Sequence, residues 1–463
     1  MKLDFIRPVI KYLPEVKLPE RKIPFKEKLM WTGVILLLFF MMGVIYPYGV
    51  SRESLSEHIR GFEQMTMIFA SSIGSLTSVG IGPIVTSSII LQLLQGADMI
   101  QVDLKTKEGK ALFQATQKVL TIILAFFEAG ALVVATNMVE GTGLIAFTIL
   151  QIAMGSIILM YMDEVTSKWG IGSGISLFIA AGVSQTILLG SLNPLKSAAG
   201  QYAGYIPNFI SQMMSGNPNY MLLWPLTATA IVFLMATLGE SMKLEIPLSY
   251  GGIRGIGGRF PIKFFYVSNI PVILAAALLM NVTMWAGFAG VDTTGAVSLS
   301  EMTAFQRIIY TITDYLTLGN LYGVLAPGNL GMLTDTSVII HMIIYLIVFC
   351  GLCVLFGSFW VQTTGMDSES VAKQIQEGGM QIPGFRRDKR VVKRVLDKYI
   401  PQITIISSIA VGLVAAIADM MGALGSGTGI LLTIGILYRF YEEIQKEQMA
   451  DMPAAFRHFM GVD

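Results

Sequence analysis

Apolar stretches separated by short polar segments recur along the whole 463-residue chain. A helix needs about 20 apolar residues to cross a bilayer, so each long stretch is a candidate transmembrane span. Ten candidates can be delimited, at roughly 30–50, 80–96, 119–137, 143–162, 173–190, 222–239, 265–287, 337–360, 401–419 and 427–440. The pattern therefore predicts an all-α integral membrane protein with ten transmembrane helices.

The second span is interrupted where it begins. In Val79–Gly96 (VGIGPIVTSSIILQLLQG), the breaks at Gly80, Gly82 and Pro83 precede a helix that then runs apolar. Lipid cannot satisfy the backbone groups that such breaks free, so an interrupted span has to border protein or water. The interruption predicts that the helix bundle encloses a polar path or cavity.

The composition agrees with this pattern, because 53% of the residues are hydrophobic, 14% are charged and the mean hydropathy is +0.64. Residues 1–28 carry eight Lys or Arg, and the apolar run after them is long enough to span the bilayer rather than to be cleaved as a signal. We therefore expect a polytopic membrane protein without a cleaved leader.

The basic residues fix the expected orientation. If the N-terminus is cytoplasmic, 28 of the 32 Lys and Arg lie on that side, and the outer loops hold only Arg52, Arg60, Lys196 and Arg307. Cytoplasmic loops of membrane proteins carry an excess of Lys and Arg. The asymmetry supports the count of ten spans and predicts that both termini are cytoplasmic.

Ten spans divide into two sets of five, and a duplication of five spans places its two copies in opposite orientation. We therefore predict two inverted, pseudo-symmetric halves around a central pore. The predicted divisions are a cytoplasmic amphipathic N-terminus (1–29), an N-terminal half (30–190), an external hinge loop (191–221), a C-terminal half (222–440) with cytoplasmic loops 240–263 and 361–400, and a cytoplasmic tail (441–463).

Patterns typical of catalysis or metal binding are lacking. Cys350 and Cys353 form a C-x-x-C pair inside an apolar run, where small residues on a buried helix face are a simpler interpretation than redox chemistry. His58, His341 and His458 are scattered, and no phosphate-binding glycine loop is present. The sequence therefore predicts neither an enzyme nor a bound cofactor or metal.

Glu128, in VLTIILAFFEAGALVV, is the one carboxylate near the middle of a predicted span. Placing an ionisable group there costs about 2.5–3.5 kcal/mol on insertion scales, so it should face a partner or water. Both a functional site and a structural hydrogen bond that joins two helices fit this expectation.

Four long motifs resemble the SecY family, the central subunit of the protein-conducting channel, and most closely its archaeal form. The motifs are GIGPIVTSSIILQLL (80–94), YMDEVTSKWGIGSGISLFIAAGVSQTI (161–187), PIKFFYVSNIPVILAAAL (261–278) and MGALGSGTGILLTIGILYR (421–439). They occur in the family's order, and the resemblance covers nearly the whole chain. Only the outer stretch 285–336 offers no motif to compare.

The resemblance implies a hydrophobic pore ring, formed here by six aliphatic residues: Ile81, Val85, Ile175, Ile179, Ile273 and Leu432. Two pairs among them are spaced i, i+4, which puts both members on one helix face. A narrow aliphatic collar excludes ions by dewetting and offers a sliding peptide no directed hydrogen bond. Taken without the resemblance, the six are better explained as ordinary core residues.

The same resemblance implies a plug at 61–78, a short helix in the outer funnel that includes the apolar residues Phe62, Met65, Ile68, Phe69 and Ile73. Its small residues would allow close, weakly held packing. An ordinary re-entrant or interfacial segment is the alternative.

A lateral gate is implied where the second and seventh spans meet, lined by Thr86, Glu128 and Asn281. Thr86 follows Val85 and is therefore turned by about 100° from the ring face, toward such a seam. A lock between two helices is the alternative role, and a gate that latches weakly would combine both.

Loops 240–263 and 361–400 are rich in Lys and Arg, and the resemblance implies that they contact the ribosome, with Arg254, Arg386 and Arg387 as the preferred contacts. Basic loops suit a phosphate backbone. The positive-inside rule alone also accounts for them.

Together these features predict the central subunit of a protein-conducting channel in the cell membrane of an archaeon, without cofactors. The implied partners are a SecE/gamma-type subunit, a beta-type subunit, the ribosome with its rRNA and proteins, nascent polypeptides with signal sequences, and membrane lipid. A secondary transporter of a small solute is the alternative, since broken spans and inverted halves also occur in that class.

Overall fold

The computed structural model describes the chain at 13–21, 23–50, 70–96, 99–100, 106–135, 139, 141–196, 200–250, 257–267, 270–288, 303–318, 321–377, 380–381 and 389–451. These residues are predominantly helical. Ten of their helices correspond to the ten predicted spans. The first half contributes α1 (Phe25–Val44), α2 (Gly82–Gly96), α3 (Lys107–Ala135), α4 (Thr142–Trp169) and α5 (Gly174–Leu192).

The connection between the halves carries a short helix, α6 (Tyr205–Met214), and a 3₁₀ turn at Tyr220–Leu223. The second half follows with the remaining helices: α7 (Trp224–Ser241), α8 (Ile270–Phe288), α9 (Ala304–Leu316), α10 (Thr336–Thr363), α11 (Ser368–Glu377), α12 (Lys389–Met420) and α13 (Gly427–Asp451), with a 3₁₀ turn at Leu330–Thr334. Of these, α9 and α11 lie between predicted spans.

Seven described helices are long and apolar enough to cross a membrane, and two shorter apolar helices lie at Gly82–Gln95 and Ile270–Thr283. Large apolar side chains such as Leu37, Phe233 and Ile347 remain exposed. Water disfavours a surface of this kind, whereas lipid tails accept it. The chain is a multi-pass membrane protein, as its hydropathy predicts.

Several helices extend beyond the predicted spans. Helix α3 begins at Lys107 rather than at 119, α12 begins at Lys389 rather than at 401, and α13 continues to Asp451 rather than ending at 440. The added turns are rich in Lys, Glu, Gln and Arg, which form helices well in water. Hydropathy marks where a helix leaves lipid, not where it ends.

The cytoplasmic loop predicted at 240–263 is a β-hairpin. Strand β1 (Lys243–Tyr250) pairs antiparallel with β2 (Gly257–Lys263), so that Ile246 lies opposite Phe260. A third strand, β3 (Met380–Gln381), pairs with the end of β1. The two predicted cytoplasmic loops, 240–263 and 361–400, are therefore joined in one small sheet, and α11 is also part of the second loop.

The main hydrophobic core is shared by both halves. It includes Phe178 from α5, Ile273 from α8, Phe349 from α10 and Leu432 from α13. Helix α2 contacts α8, and α5 contacts α13, so the two halves meet along these helices. This shared core holds the ten helices as two halves in one bundle.

Candidate functional site

The six ring candidates lie at the N-terminal ends of four helices. Ile81 directly precedes α2 and Val85 is in its first turn, Ile175 and Ile179 are in the first turns of α5, and Ile273 and Leu432 are near the starts of α8 and α13. These four helix starts carry all six ring candidates. The sequence thus delivers aliphatic side chains from helix starts in both halves.

The structure brings these residues together. Ile81, Ile179 and Leu432 are fully buried (0% exposed), Val85 and Ile273 are buried, and half-buried Ile175 packs against the same apolar cluster. The cluster contains many further residues, so membership in it does not by itself distinguish a ring from a core. Other members of the cluster, such as Ile84, Phe178 and Leu431, lie at the same helix starts, so the family resemblance is what singles out the six.

A polar cluster lies between α2, α3 and α8, and it contains all three gate candidates. Asn281 Nδ2 donates a hydrogen bond to Thr86 Oγ1 at 3.0 Å, and the Glu128 carboxyl interacts with the same Thr86 side chain. All three residues are buried. We call the contact between α2 and α8 the seam.

The seam cluster is incompletely satisfied. The Thr86 hydroxyl has one proton, which it donates to Gly82 O at 2.9 Å, although the Glu128 carboxyl beside it is also an acceptor. Glu128 Oε1 and Asn281 Oδ1 are buried without a hydrogen-bond partner among the described residues. Unsatisfied buried polar atoms lower the net stability of a contact, so these two oxygens reduce what the polar cluster contributes to the packing of α2 against α8.

Sequence analysis missed the neighbouring contact between α2 and α3. The hydroxyls of Ser87 and Thr121 are hydrogen-bonded at 2.8 Å, and both residues are fully or almost fully buried. The three consecutive hydroxyl residues Thr86, Ser87 and Ser88 in an apolar helix were the available signal. One side of α2 is thereby attached to α3 and the other to α8.

Most of the predicted plug cannot be compared with the structure. Phe62, Met65, Ile68 and Phe69 lie outside the described residues, and only Ile73 is described. The described part of the segment, 70–78, consists of turns and bends, so the expected short helix is not found there.

Residues 70–78 are held by their own hydroxyl groups and by two helices. The Ser75 and Thr77 hydroxyls are hydrogen-bonded at 2.9 Å, and Ser78 Oγ accepts a hydrogen bond from Gly74 N at 3.0 Å. Leu76 N donates to Ile45 O after α1 at 2.9 Å. The segment is more firmly fixed than its small residues suggest, because these residues bond to one another.

The segment also approaches two glycines closely. The Leu76 carbonyl leaves no room for a side chain on Gly155 of α4, where an added Cβ would lie 2.0 Å from that oxygen. Ala70 belongs to the main core and lies against Gly182 of α5, whereas Ile73 packs on a separate cluster that includes Ala129 and Val133. Only the start of the described segment therefore reaches the cluster that contains the ring candidates.

The ribosome-contact candidates Arg254, Arg386 and Arg387 lie outside the described residues. Arg254 belongs to the connection between β1 and β2, and the other two follow β3. Because β3 pairs with β1, the strands that precede all three arginines belong to one sheet.

The base of the hairpin is attached to α13. Lys263 Nζ, at the end of β2, pairs with the Glu442 carboxylate at 2.9 Å and lies 5.0 Å from the centre of the Tyr438 ring. Between the hairpin and the bundle, Tyr266 is buried. The hairpin is thus connected to the helix that carries Leu432.

The N-terminal segment before α1 is fixed on the end of α4. Lys168 Nζ donates to Val16 O at 2.6 Å and pairs with Glu15 and Glu164, and Trp169 Nε1 donates to Lys17 O at 3.0 Å. Residues 1–12 of this segment lie outside the described part.

Within the described part of the chain, no group of three or more His, Cys, Asp or Glu side chains is placed to hold a metal ion.

Comparison with known proteins gives consistent matches. Residues 75–441 match the family model described as SecY. The chain is 46% identical to the protein translocase subunit SecY of Methanocaldococcus jannaschii over 98% of its length and 99% of the relative's, and 44% identical to that of Pyrococcus horikoshii over 99% of both.

Solved structures agree. A structure of a protein-conducting channel superposes with a TM-score of 0.83 at 45% identity, covering 96% of this chain and 98% of the other. Sec61 in the canine ribosome-channel complex gives a TM-score of 0.80 at 45% identity, with the same coverage. These matches support a protein-conducting channel and not the secondary transporter considered as an alternative. The chain belongs to the SecY family, and the prediction from its sequence motifs is confirmed.

Proposed function

We propose that this chain is the central subunit of a channel that passes unfolded polypeptides across the membrane and releases apolar segments sideways into lipid. The observation that carries the proposal is the convergence of six aliphatic residues, from helix starts in both halves, in one buried cluster. In this role Ile81, Val85, Ile175, Ile179, Ile273 and Leu432 form the constriction.

An aliphatic constriction fits this task physically. It repels ions because a narrow apolar passage does not stay wetted, and it holds a passing peptide by no directed hydrogen bond. Its members belong to α2 and α5 in one half and to α8 and α13 in the other. A separation of the halves would therefore widen the constriction from opposite sides.

The seam between α2 and α8 is the proposed lateral exit. A signal sequence carries an apolar core of about 7–15 residues. A seam closed by the Asn281–Thr86 hydrogen bond and bordered by the partly unsatisfied Glu128 requires little free energy to open. An apolar core that enters the seam can move from the pore into the lipid.

For the orientation, we place both termini in the cytoplasm on the distribution of Lys and Arg, with the β1–β2 hairpin on the same side. The proposed partners are the ribosome at the sheet, a SecE/gamma-type and a beta-type subunit in the membrane, and nascent chains in the pore. The structure of Sec61 in a ribosome-channel complex supports the ribosome as a partner. The residues proposed for that contact are Arg254, Arg386 and Arg387, with 61–78 as the plug.

The ring is tested by chloride efflux from vesicles that contain the purified protein. A fourfold variant should allow water into the constriction and make the vesicles leaky. It carries Asn in place of Ile81, Ile179, Ile273 and Leu432. Ile152→Asn is the control, because Ile152 of α4 is equally buried but belongs to a different apolar cluster. Vesicles as tight with the fourfold variant as with the wild-type protein would refute the ring.

A further inference from the structure

An aspartate of the preceding helix caps the start of helix α5. Asp163 of α4 accepts hydrogen bonds from Ile175 N at 2.9 Å and Ser173 Oγ at 3.3 Å, and it also interacts with the backbone N–H of Gly174. The first four N–H groups of a helix have no partner within the helix, and this carboxylate satisfies two of them, those of Gly174 and Ile175.

Helix α13 begins in the same way in the other half. Asp419 of α12 accepts hydrogen bonds from Gly427 N at 2.6 Å, Thr428 N at 3.4 Å and Thr428 Oγ1 at 2.5 Å. Asp419 is buried, and the Ser426 hydroxyl completes the cap by accepting from Gly429 N at 3.0 Å. In each half, then, the fourth predicted span caps the fifth.

The two sites agree in detail. Each capped helix starts with a serine followed by a glycine, Ser173 with Gly174 and Ser426 with Gly427. Each glycine admits the capping helix closely, because an added Cβ would lie 2.5 Å from Asp163 Cα at Gly174 and 2.1 Å from the Ala418 side chain at Gly427. The two sites thus share the aspartate cap, the Ser-Gly start and the close approach of the capping helix at the glycine.

A ring candidate follows each glycine at the same interval. Ile179 is five residues after Gly174 and Leu432 is five residues after Gly427, and both are fully buried. Five residues advance a helix by about 7.5 Å and turn it by about 140° relative to its start. A cap that fixes the first turn therefore fixes the height and direction of the ring side chain.

We propose that Asp163 and Asp419 are symmetry-related positioning residues that set the pore ring. Each anchors the start of one ring-bearing helix to its neighbour, one cap in each half, and thereby holds Ile179 and Leu432 at matched positions across the constriction. A carboxylate at a helix N-terminus is further stabilised by the helix dipole. This inference depends on the proposed ring.

The first test compares Asp163→Ala and Asp419→Ala with Asp163→Asn and Asp419→Asn in the full-length protein, by chloride efflux from vesicles. The Ala variants should raise efflux about fivefold, the factor that corresponds to loss of a typical helix cap. The Asn variants should be as tight as wild type, because the amide oxygen can replace Oδ1 as the acceptor for the backbone N–H groups, and the new Nδ2 at position 419 can donate to Thr428 Oγ1 where Oδ2 of the aspartate accepts. Leaky Asn variants would overturn the proposal.

Asp335→Ala is the matched control. Asp335 caps α10 through a hydrogen bond from Ser337 N at 3.1 Å, but α10 carries no ring candidate. Its loss should leave the vesicles tight. A leak of equal size in Asp335→Ala would show that any lost cap is sufficient, and the proposal would fall.

A second pair of variants covers the case in which the Ala variants do not fold. Gly174→Ala and Gly427→Ala keep each aspartate but push the capping helix away, so they should leak as well, whereas Gly351→Ala meets open space and should not. Tight vesicles with both glycine variants would overturn the proposal. The fourfold Asn variant of the ring is measured alongside. If it leaks and the cap and glycine variants do not, the role of the caps is refuted but the ring is not. If none of these variants leaks, the ring itself is refuted.

Discussion

A buried hydrogen bond from Asn281 to Thr86 joins the helices on the two sides of the seam, and in the proposed function opening would break it. Interhelical hydrogen bonds in membranes contribute about 1 kcal/mol each. Thr86 keeps its own bond to Gly82 O when Asn281 is removed, so it is not left without a partner. The consequence of losing the amide therefore falls on the seam.

Asn281→Ala should favour the open seam about fivefold, which follows from loss of a contact of that strength. Translocation in vitro with a graded series of signal sequences measures the effect, and signals too weak for the wild-type channel should now be accepted. Thr283→Ala is the control, because the Thr283 hydroxyl bonds only back to Leu279 O of its own helix α8. Unchanged acceptance in Asn281→Ala would remove the seam from the mechanism.

At this scale the sequence singled out Glu128 as a carboxylate within a span and, through the family resemblance, grouped it with Thr86 and Asn281, and the structure places the three side chains together. It could not predict the caps. Asp419 and Gly427 are eight residues apart and Asp163 and Gly174 eleven, so no shared spacing or helical period links them. They meet only because each connection folds its aspartate back onto the start of the next helix.

Among the elements, the β1–β2 hairpin differs most from the sequence-based expectation. Leu244, Ile246 and Leu248 alternate with other residues as a strand requires, but Pro247 interrupts the signal. Among the described residues, β3 pairs with the last two residues of β1 and leaves that side of β1 unpaired at Pro247, which is where a proline is tolerated. A short strand with an interior proline is hard to predict from composition.

The apolar helices were predictable because each one has to be apolar wherever lipid surrounds it. Their polar extensions were not, as the starts of α3 at Lys107 and α12 at Lys389 show. In those turns the apolar signal fades although the backbone hydrogen bonds continue. Hydropathy therefore gives the number of spans correctly and the helix lengths incorrectly.

The hairpin leads to a prediction about docking. Replacing Arg254, Arg386 and Arg387 by Glu should weaken ribosome binding, because like charge then faces the rRNA phosphates. Each lost phosphate contact should also reduce the slope of log affinity against log salt by about 1. Binding is measured by co-sedimentation across a salt series.

Arg307→Glu on α9 is the control for charge, because that residue lies in a predicted outer loop away from the sheet. Chloride efflux should not change in any of these variants, since the ring is not altered. Ribosome binding that is as strong and as salt-dependent in the triple variant as in the wild type would place the docking site elsewhere.

For the whole molecule, two halves of five helices share one core, and equivalent caps occur at the start of the fifth span in each. If the halves are inverted, α5 begins on one side of the membrane and α13 on the other. The two caps then lie at opposite faces of the membrane, so the two capped helices reach the constriction from opposite sides. The orientation of a single helix fixes that of all ten, because the spans alternate.

Helix α7 offers that measurement. Asn217 before it and Met242 after it are both exposed, so a cysteine at either position is accessible to a reagent on its own side. With cytoplasmic termini, a membrane-impermeant maleimide should label Asn217→Cys in intact cells and Met242→Cys only after permeabilisation. The unsubstituted chain is the blank, since Cys353 is buried and Cys350 half-buried within α10. The reverse labelling would mean that the whole bundle has the opposite orientation in the membrane. The basic sheet would then face away from the ribosome.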